Sequence, residues 1–229
     1  MNETFAQWLM LAAILWPVLN ALSFALPRAK SIAWSCSAFA ALPALALAMA
    51  GPIGVSVTLP QTSLTILRLD DTGRVFLGFT AMLWLLSGWY AIHCLRSEAH
   101  RVRFEIFFLL SMTGNFLLIL ANDIPTFYAG FALMGFASAG LVVHRGDGSA
   151  VRAGRIYLAL AAVGEILLFV GFGFLAAGSS SLEISEVVTA DSSAIAMVLL
   201  LVGFGIKAGA LSVHFWLPLA HPTAPVPAS

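Results

Sequence analysis

Three ionisable residues of this sequence lie inside apolar stretches, where a charge is costly. Lys207 stands in VLLLVGFGIKAGALSVHFWLPLAHPTAP, Glu165 in LALAAVGEILLFVGF and Glu105 in RFEIFFLL. A charged residue at the centre of a membrane helix costs roughly 2.5–3.5 kcal/mol on insertion scales. Such residues within membrane spans typically mark ion paths and proton relays. The chemistry that they favour is therefore reversible protonation.

Glu165 and Lys207 fall on consecutive predicted spans at similar depth. Opposite charges that are buried together lower each other's cost of ionisation. The pair could therefore stay charged until a further charge or a proton arrives, as a proton relay requires. The alternative is a static salt bridge between two helices, although desolvation makes buried ion pairs a poor source of stability.

Two histidines follow Lys207 at intervals of seven residues, at His214 and His221. On one continuous helix this spacing would put all three side chains on the same face and make a polar line toward the cytoplasm. Each histidine could instead be a hydrogen-bonded residue at the membrane interface. Glycines and prolines predict that this helix is broken near the midplane, as in the ion sites of transporters. These residues are Gly203, Gly205, Gly209, Pro218 and Pro222.

Other polar residues near the span ends have several possible roles. Glu105 is close to Arg101 and Arg103, so it is either an interface ion pair or a carboxylate for proton uptake. Asp123, in the turn before a span, is expected to cap the following helix. A haem-binding membrane anchor is a further alternative, because His93 and His144 could supply two axial ligands.

The composition indicates an all-α, polytopic membrane helix bundle. Of 229 residues, 60% are hydrophobic and 10% are charged, against about 25% charged in soluble domains. The net charge is zero, so no attraction to nucleic acid is expected. We predict no catalytic residues, no cofactor and no metal site. Cys36 and Cys94 are expected to be small apolar fillers.

About seven transmembrane helices are predicted within a single membrane domain, residues 1–229, with a discontinuous seventh helix. The stretch 55–69 is rich in Thr, Val and Ile and favours a surface hairpin. The stretch 179–191 is acidic and favours an exposed loop with one amphipathic turn. The predicted spans are 5–26, 31–50, 72–95, 102–121, 124–144, 150–177 and 193–217.

Basic residues gather on one side of these spans. By the positive-inside rule that side is cytoplasmic, which puts the N-terminus outside and the C-terminus inside an inner (cytoplasmic) membrane. The eight residues are Arg28, Lys30, Arg96, Arg101, Arg103, Arg145, Arg152 and Arg155.

Two stretches resemble the antiporter-like membrane subunits of respiratory complex I, Mrp-type antiporters and membrane-bound hydrogenases. They are LANDIPTFYAGFALMGFASAGLVVH at 120–144 and GFGIKAGALSVHFWLPLAHPTAPVP at 203–227. The resemblance implies a proton-translocating module in which a lysine on a broken seventh helix works with a glutamate on the fifth. Lys207 matches that lysine, and His214 and His221 match histidines of the motif.

The sequence departs from this family in two respects. The fifth-helix motif G-W-E-L-M reads here Gly130-Phe131-Ala132-Leu133-Met134, so Ala132 occupies the glutamate position. We expect Glu165 to replace that glutamate. Such a replacement would make this sequence more similar to the hydrogenase-type branch than to the complex I type. The sequence also stops at Ser229, before the second inverted repeat of the family. We therefore expect a half-module, either split or truncated, whose remaining helices belong to a separate chain.

The predicted function is a proton or Na⁺/H⁺ translocating subunit without catalytic chemistry of its own. It would work among other membrane subunits of an antiporter or redox-driven complex, such as a NADH:quinone oxidoreductase-like or hydrogenase-like enzyme. One alternative is an energy-coupling membrane subunit for uptake of inorganic carbon or another ion, with a soluble partner. Another is a structural scaffold that no longer translocates ions.

Overall fold

Long apolar helices dominate the computed structural model, which describes residues 2–26, 30–58, 65–98, 100–189, 193–210 and 213–229. Arg28 of the predicted basic side and Asp191 of the acidic loop lie outside these ranges. The helices are α1 (Glu3–Ser23), α2 (Lys30–Ser37), α3 (Leu42–Ala50), α4 (Asp71–Cys94), α5 (Arg101–Leu120), α6 (Ile124–Val142), α7 (Gly148–Ala177), α8 (Ile184–Thr189), α9 (Ala194–Ala208) and α10 (Leu217–Thr223).

Five helices of the described residues, α1 and α4 to α7, are long and apolar enough to cross a membrane by length and composition. Helix α9 is also apolar but has only 15 residues. Helices α4 to α7 agree closely with the predicted spans. The prediction of an all-α, polytopic membrane protein is confirmed.

Side chains at the helix starts explain several of these boundaries. The carboxylates of Asp70, Asp123 and Asp147 accept hydrogen bonds from backbone N–H groups in the first turns of α4, α6 and α7. This confirms that Asp123 is an N-cap, with its Oδ1 2.9 Å from Thr126 N. Asp147 also accepts a bond from the Ser149 hydroxyl, and these bonds lower the pKa of Asp147. Each cap satisfies a donor that the helix cannot pair internally.

The second predicted span is two helices and not one. Helix α2 ends at Ser37, a turn follows at 38–41, and α3 begins at Leu42 with Pro43 in its first turn. Proline has no N–H group and its ring clashes inside a helix, but both properties are tolerated at a helix start. Pro43 therefore marks the start of a new helix, whereas the predicted span 31–50 was continuous through this residue.

Strands β1 (Ser56–Thr58) and β2 (Thr65–Arg68) pair in antiparallel fashion, which confirms the hairpin for the residues described. The side chain of Gln7 in α1 donates a hydrogen bond to the Ser56 carbonyl and ties the hairpin to the bundle. The acidic loop contains one short helix, α8, as expected. The backbones of Asp123 and Glu183 form an isolated antiparallel β-bridge, so this loop lies at the start of α6.

Helices α5 and α6 pack with their backbones in close contact. A Cβ atom added at Gly130 would lie 2.6 Å from Leu118 N and 2.9 Å from Gly114 O. Small residues at such crossings allow membrane helices to approach closely and gain dispersion contacts. This contact joins the core formed by α1, α3, α4 and α5 to α6, which packs in turn on α7, the helix that carries Glu165.

We expect Gly130→Ala to destabilise the protein by roughly 1–3 kcal/mol, because backbone atoms cannot move aside as a side chain can. Thermal unfolding in detergent would measure the change. Gly78→Ala is the matched control, since its Cβ would meet only Ala48 Cβ at 3.5 Å. Equal unfolding temperatures for the two variants would contradict the prediction.

Candidate functional site

Lys207 lies in the last turn of α9, where the helix ends abruptly. Gly209 adopts the left-handed conformation, with φ of 67°, and its N–H group bonds back to Gly205 and Ile206. The Trp216 indole N–H also donates to the Ile206 carbonyl, at 3.0 Å. The broken seventh helix is thus present, and its end is stabilised by its own chain. A cation is favourable at a helix C-terminus, where the macrodipole is negative.

Glu165 and Lys207 reach the same space beside Gly135 of α6. A Cβ atom added at Gly135 would lie 2.7 Å from both Glu165 Oε1 and Lys207 Nζ. Both atoms are buried, and neither has a hydrogen-bond partner among the described residues. The two groups interact electrostatically without forming the hydrogen-bonded salt bridge considered as an alternative. Buried polar atoms without protein partners are typical of strained or functional sites.

An aromatic cluster covers the side of the pair that faces the acidic loop. Lys207 Nζ lies 4.7 Å from the centroid of the Phe131 ring, which is within cation–π range. Four phenylalanine rings contact one another there, with centroids 5.4–6.3 Å apart, and Val187 of α8 packs on the same cluster. The apolar side chains separate the pair from the acidic loop. The rings belong to Phe127, Phe131, Phe172 and Phe204.

Two cavities lie on the opposite, basic side of the pair. A small cavity of about 10 Å³ is lined by Lys207, Tyr157 and Trp216, among others. A larger cavity of about 290 Å³ continues from Tyr157 and Trp216 to His221. The larger cavity lies at the end of α6 and the start of α7, because Ala220 of α10 packs there on Val142 and Ala153. The pair therefore has aromatic rings on one side and the two cavities on the other.

The two histidines of the seven-residue series have different environments. His221 lines the larger cavity, and its Nδ1 lies 2.9 Å from Ser229 Oγ. His214 is exposed at the start of the 3₁₀ turn His214–Trp216. The break after Ala208 interrupts the single helical face that would have aligned Lys207 with both histidines. The structure thus brings His221, but not His214, to the larger cavity.

Glu105 is buried on α5 and lies against α2. Its Oε1 is 3.7 Å from Arg101 Nε, and the carboxylate also interacts with the Ser37 hydroxyl. The Arg101 guanidinium stacks 3.4 Å above the Trp34 ring. Arg103 instead donates to the His144 carbonyl. The geometry therefore includes the ion pair with Arg101 and leaves a role in proton uptake as a proposal.

The remaining candidates lie away from this site. His93 is exposed, with Nδ1 3.0 Å from its own helix carbonyl at Trp89. The His144 ring is buried against Phe104, so the two histidines lie in dissimilar surroundings. Cys36 and Cys94 are free cysteines.

Sequence reasoning missed Gly135, the glycine that makes room for the pair. The only signal was the run of small residues in GFALMGFASAG, which is also typical of ordinary helix packing. It also missed Tyr157, Ser138 and Ser111, which line the larger cavity. These hydroxyl residues lie on three different helices and share no sequence spacing. Only the packing of the helices shows that they line one cavity.

Residues 121–229 match the family model described as "NADH:quinone oxidoreductase/Mrp antiporter, TM". Hydrogenase-4 component B of Escherichia coli K12 is 30% identical over 169 residues, covering 71% of this chain and 25% of that protein. NADH-quinone oxidoreductase subunit N of Geobacillus kaustophilus is 27% identical over 239 residues, covering 97% of this chain and 46% of that protein. The chain belongs to the antiporter-like membrane subunit family.

Other matches extend the likeness of this antiporter-like chain over its whole described fold. An uncharacterized protein of Mycobacterium tuberculosis is 34% identical over 212 residues, covering 90% of this chain and 33% of that protein. A chain of the archaeal membrane-bound sulfane sulfur reductase has a TM-score of 0.79 at 16% identity, and this chain covers 49% of it. A chain of the Mrp complex from Dietzia sp. has a TM-score of 0.69 at 20% identity, with 44% covered. This chain thus spans a quarter to a half of these proteins.

We expect Gly135→Ala to fold normally but to impair ion movement. The added Cβ would meet only the flexible ends of Glu165 and Lys207, which can withdraw by about 1 Å. Misplacement by that distance can reduce the rate of a positioned reaction by up to ~100-fold. Proton flux in proteoliposomes would measure the loss. Gly173→Ala, whose Cβ meets nothing within 4 Å, should leave the flux unchanged, and equal flux in both variants would count against the pair.

Proposed function

We propose that this chain is a proton-translocating half of an antiporter-like module, working inside a larger membrane complex. The observation that carries the proposal is the buried pair of Glu165 and Lys207 beside Gly135, at a helix break. Antiporter and redox-driven relatives supply the context. The solved chains with this fold come from larger membrane complexes, so other membrane subunits and the driving reaction are proposed as parts of the assembly.

The pair can hold and release a proton in a defined way. With Lys207 protonated and Glu165 ionised, the site is neutral overall and each charge stabilises the other. When a positive charge approaches from a neighbouring subunit, or a proton binds Glu165, that stabilisation is lost. Lys207 then releases its proton toward the two cavities, because the aromatic cluster lies on the other side. Restoring Glu165 to its ionised state recharges Lys207.

The proposed orientation puts the cavities on the cytoplasmic side. Exposed Arg145, Arg152 and Arg155 lie at the same end of α6 and α7 as α10, and basic residues favour the cytoplasm. The N-terminus would then be outside, in an inner (cytoplasmic) membrane. Glu105 lies on α5, which begins at this basic end, and is proposed as an auxiliary carboxylate for proton uptake.

The test uses the complex that co-purifies with this chain from its host membranes, reconstituted into liposomes. A potassium gradient with valinomycin imposes a membrane potential, so that no electron donor has to be known. A trapped pH-sensitive dye reports proton movement, and ²²Na⁺ uptake reports sodium. We expect proton flux well above that of empty liposomes.

Flux equal to that of empty liposomes would contradict the proposal and favour a structural scaffold. Sodium uptake without proton movement would reject the proton as the transported ion. A soluble partner in the purified complex, in place of membrane subunits, would favour the energy-coupling alternative.

A further inference from the structure

Three hydroxyl groups form a chain across the bundle on the basic side of the Glu165–Lys207 pair. Ser111 Oγ of α5 lies 3.1 Å from Ser138 Oγ of α6, and either can donate the hydrogen bond. The Tyr157 phenol group of α7 lies near Ser138 and lines the same cavity as both serines. Ser111 and Tyr157 are only 3% and 6% exposed. Hydroxyl groups both donate and accept, so neighbouring ones can pass a proton along.

Tyr157 and Trp216 line both cavities, and of the two only Tyr157 carries a hydroxyl group. It lines the small cavity together with Lys207, whose Nζ lies 5.9 Å from the centroid of its ring. It also lines the larger cavity, together with both serines and the exposed His221. The small cavity, about 10 Å³, is close to the minimum that holds one water molecule, whereas the larger one, about 290 Å³, has room for several.

We propose that Tyr157, Ser138 and Ser111 form a hydroxyl relay that carries protons between Lys207 and the cavity at His221. The Lys207 ammonium gives a proton to a water molecule in the small cavity, and that water gives one of its protons to the Tyr157 oxygen. Tyr157 releases its own proton to Ser138, and from there the proton reaches Ser111 or water in the larger cavity. Each hydroxyl gains one proton and loses one, so the relay ends neutral.

The relay rests on the proposed function and adds a selectivity to it. A chain of hydroxyl groups moves protons by exchanging O–H bonds, whereas a sodium ion must pass bodily. The Tyr157 ring packs edge-on against Trp216, with centroids 5.2 Å apart, and narrows the route between the two cavities. We therefore infer that this side of the chain conducts H⁺ and excludes Na⁺.

The test compares Tyr157→Phe with the unaltered complex in the valinomycin assay. Phenylalanine keeps the ring packing and removes only the hydroxyl group. We expect at least an about tenfold loss of proton flux, since a positioned proton-transfer group contributes typically ~10²–10⁴-fold. Ser138→Ala should lose flux in the same direction, and Ser138→Thr, which keeps a hydroxyl group, should restore it. If Ser138 had only a structural role, the presence of a hydroxyl group would not decide the difference in flux between Ser138→Ala and Ser138→Thr.

Two variants serve as matched controls. Tyr90→Phe removes a hydroxyl group from exposed α4, and Thr113→Val removes one that bonds only to its own helix at Leu109. Both should conduct normally. A smaller than tenfold loss in Tyr157→Phe, or equal loss in Ser138→Ala and Ser138→Thr, overturns the relay. Normal flux in Lys207→Met would contradict the proposed function and therefore also the relay. Lost flux in Lys207→Met together with normal flux in Tyr157→Phe and Ser138→Ala would contradict only the relay.

Discussion

Lys207→Met should reduce proton flux through the reconstituted complex to the level of empty liposomes, while the complex still assembles. The methionine side chain is similar in length to that of lysine, and the substitution removes the only titratable side chain of α9. Lys207 Nζ is buried and makes no hydrogen bond among the described residues, so its removal breaks no bond on which assembly depends. Flux is measured as the pH change after valinomycin addition, and assembly by size-exclusion chromatography.

Lys207→Arg separates the need for a positive charge from the need for a proton that can leave. Arginine stays protonated under all ordinary conditions, so it keeps the charge beside Glu165 but cannot release a proton. We expect it to conduct no better than Lys207→Met. Arg155→Gln, at an exposed position on α7, is the control that should conduct normally. Full flux in either Lys207 variant would exclude this residue from the path.

Glu165→Gln should also abolish flux, because glutamine fills the same volume but cannot bind or release a proton. Lys207 would then lose the opposite charge that stabilises its ammonium group. Glutamine can hydrogen-bond in that space, so assembly should be preserved. The measurement is again proton flux at equal amounts of assembled complex. Glu186→Gln on α8, where the side chain is exposed, is the matched control.

A double variant tests whether Glu165 stands in for the glutamate that the family carries on its fifth helix. Ala132 occupies that position in α6, one turn from Gly135. Ala132→Glu in the Glu165→Gln background should restore part of the flux if either carboxylate can serve Lys207. Normal flux in the single Glu165→Gln variant would reject the replacement. Normal flux in Glu165→Gln together with lost flux in Lys207→Met would mean that Lys207 has another partner.

The cavities and aromatic rings around Glu165 and Lys207 indicate which part of an ion path partner subunits would have to supply. The two cavities on the basic side extend from Lys207 to His221, whereas aromatic rings face the acidic loop. A complete path across a membrane needs a second polar route. We propose that other membrane subunits of the assembly contribute that second route.

Much of the fold was predictable because membrane spans leave a strong local signal. Each long helix reads as about twenty apolar residues, and carboxylates such as Asp123 mark where a helix begins. The break after Lys207 was also predictable, since glycine favours the left-handed helix end seen at Gly209 and proline favours a new helix start, as at Pro218. The break at 38–41 was harder to predict, because a proline such as Pro43 is compatible with a kinked span as well as with a new helix.

The sequence by itself determined that this is a helical membrane protein of the antiporter-like family with Glu165 and Lys207 on neighbouring helices. Hydropathy and motif spacing are local properties of a chain, so they are readable without its packing. Only the tertiary structure decided that both side chains meet at Gly135, that phenylalanines close one side, and that Tyr157, Ser138 and Ser111 line the other. Those contacts depend on how helices rotate and cross, which is set by side-chain packing between segments distant in sequence.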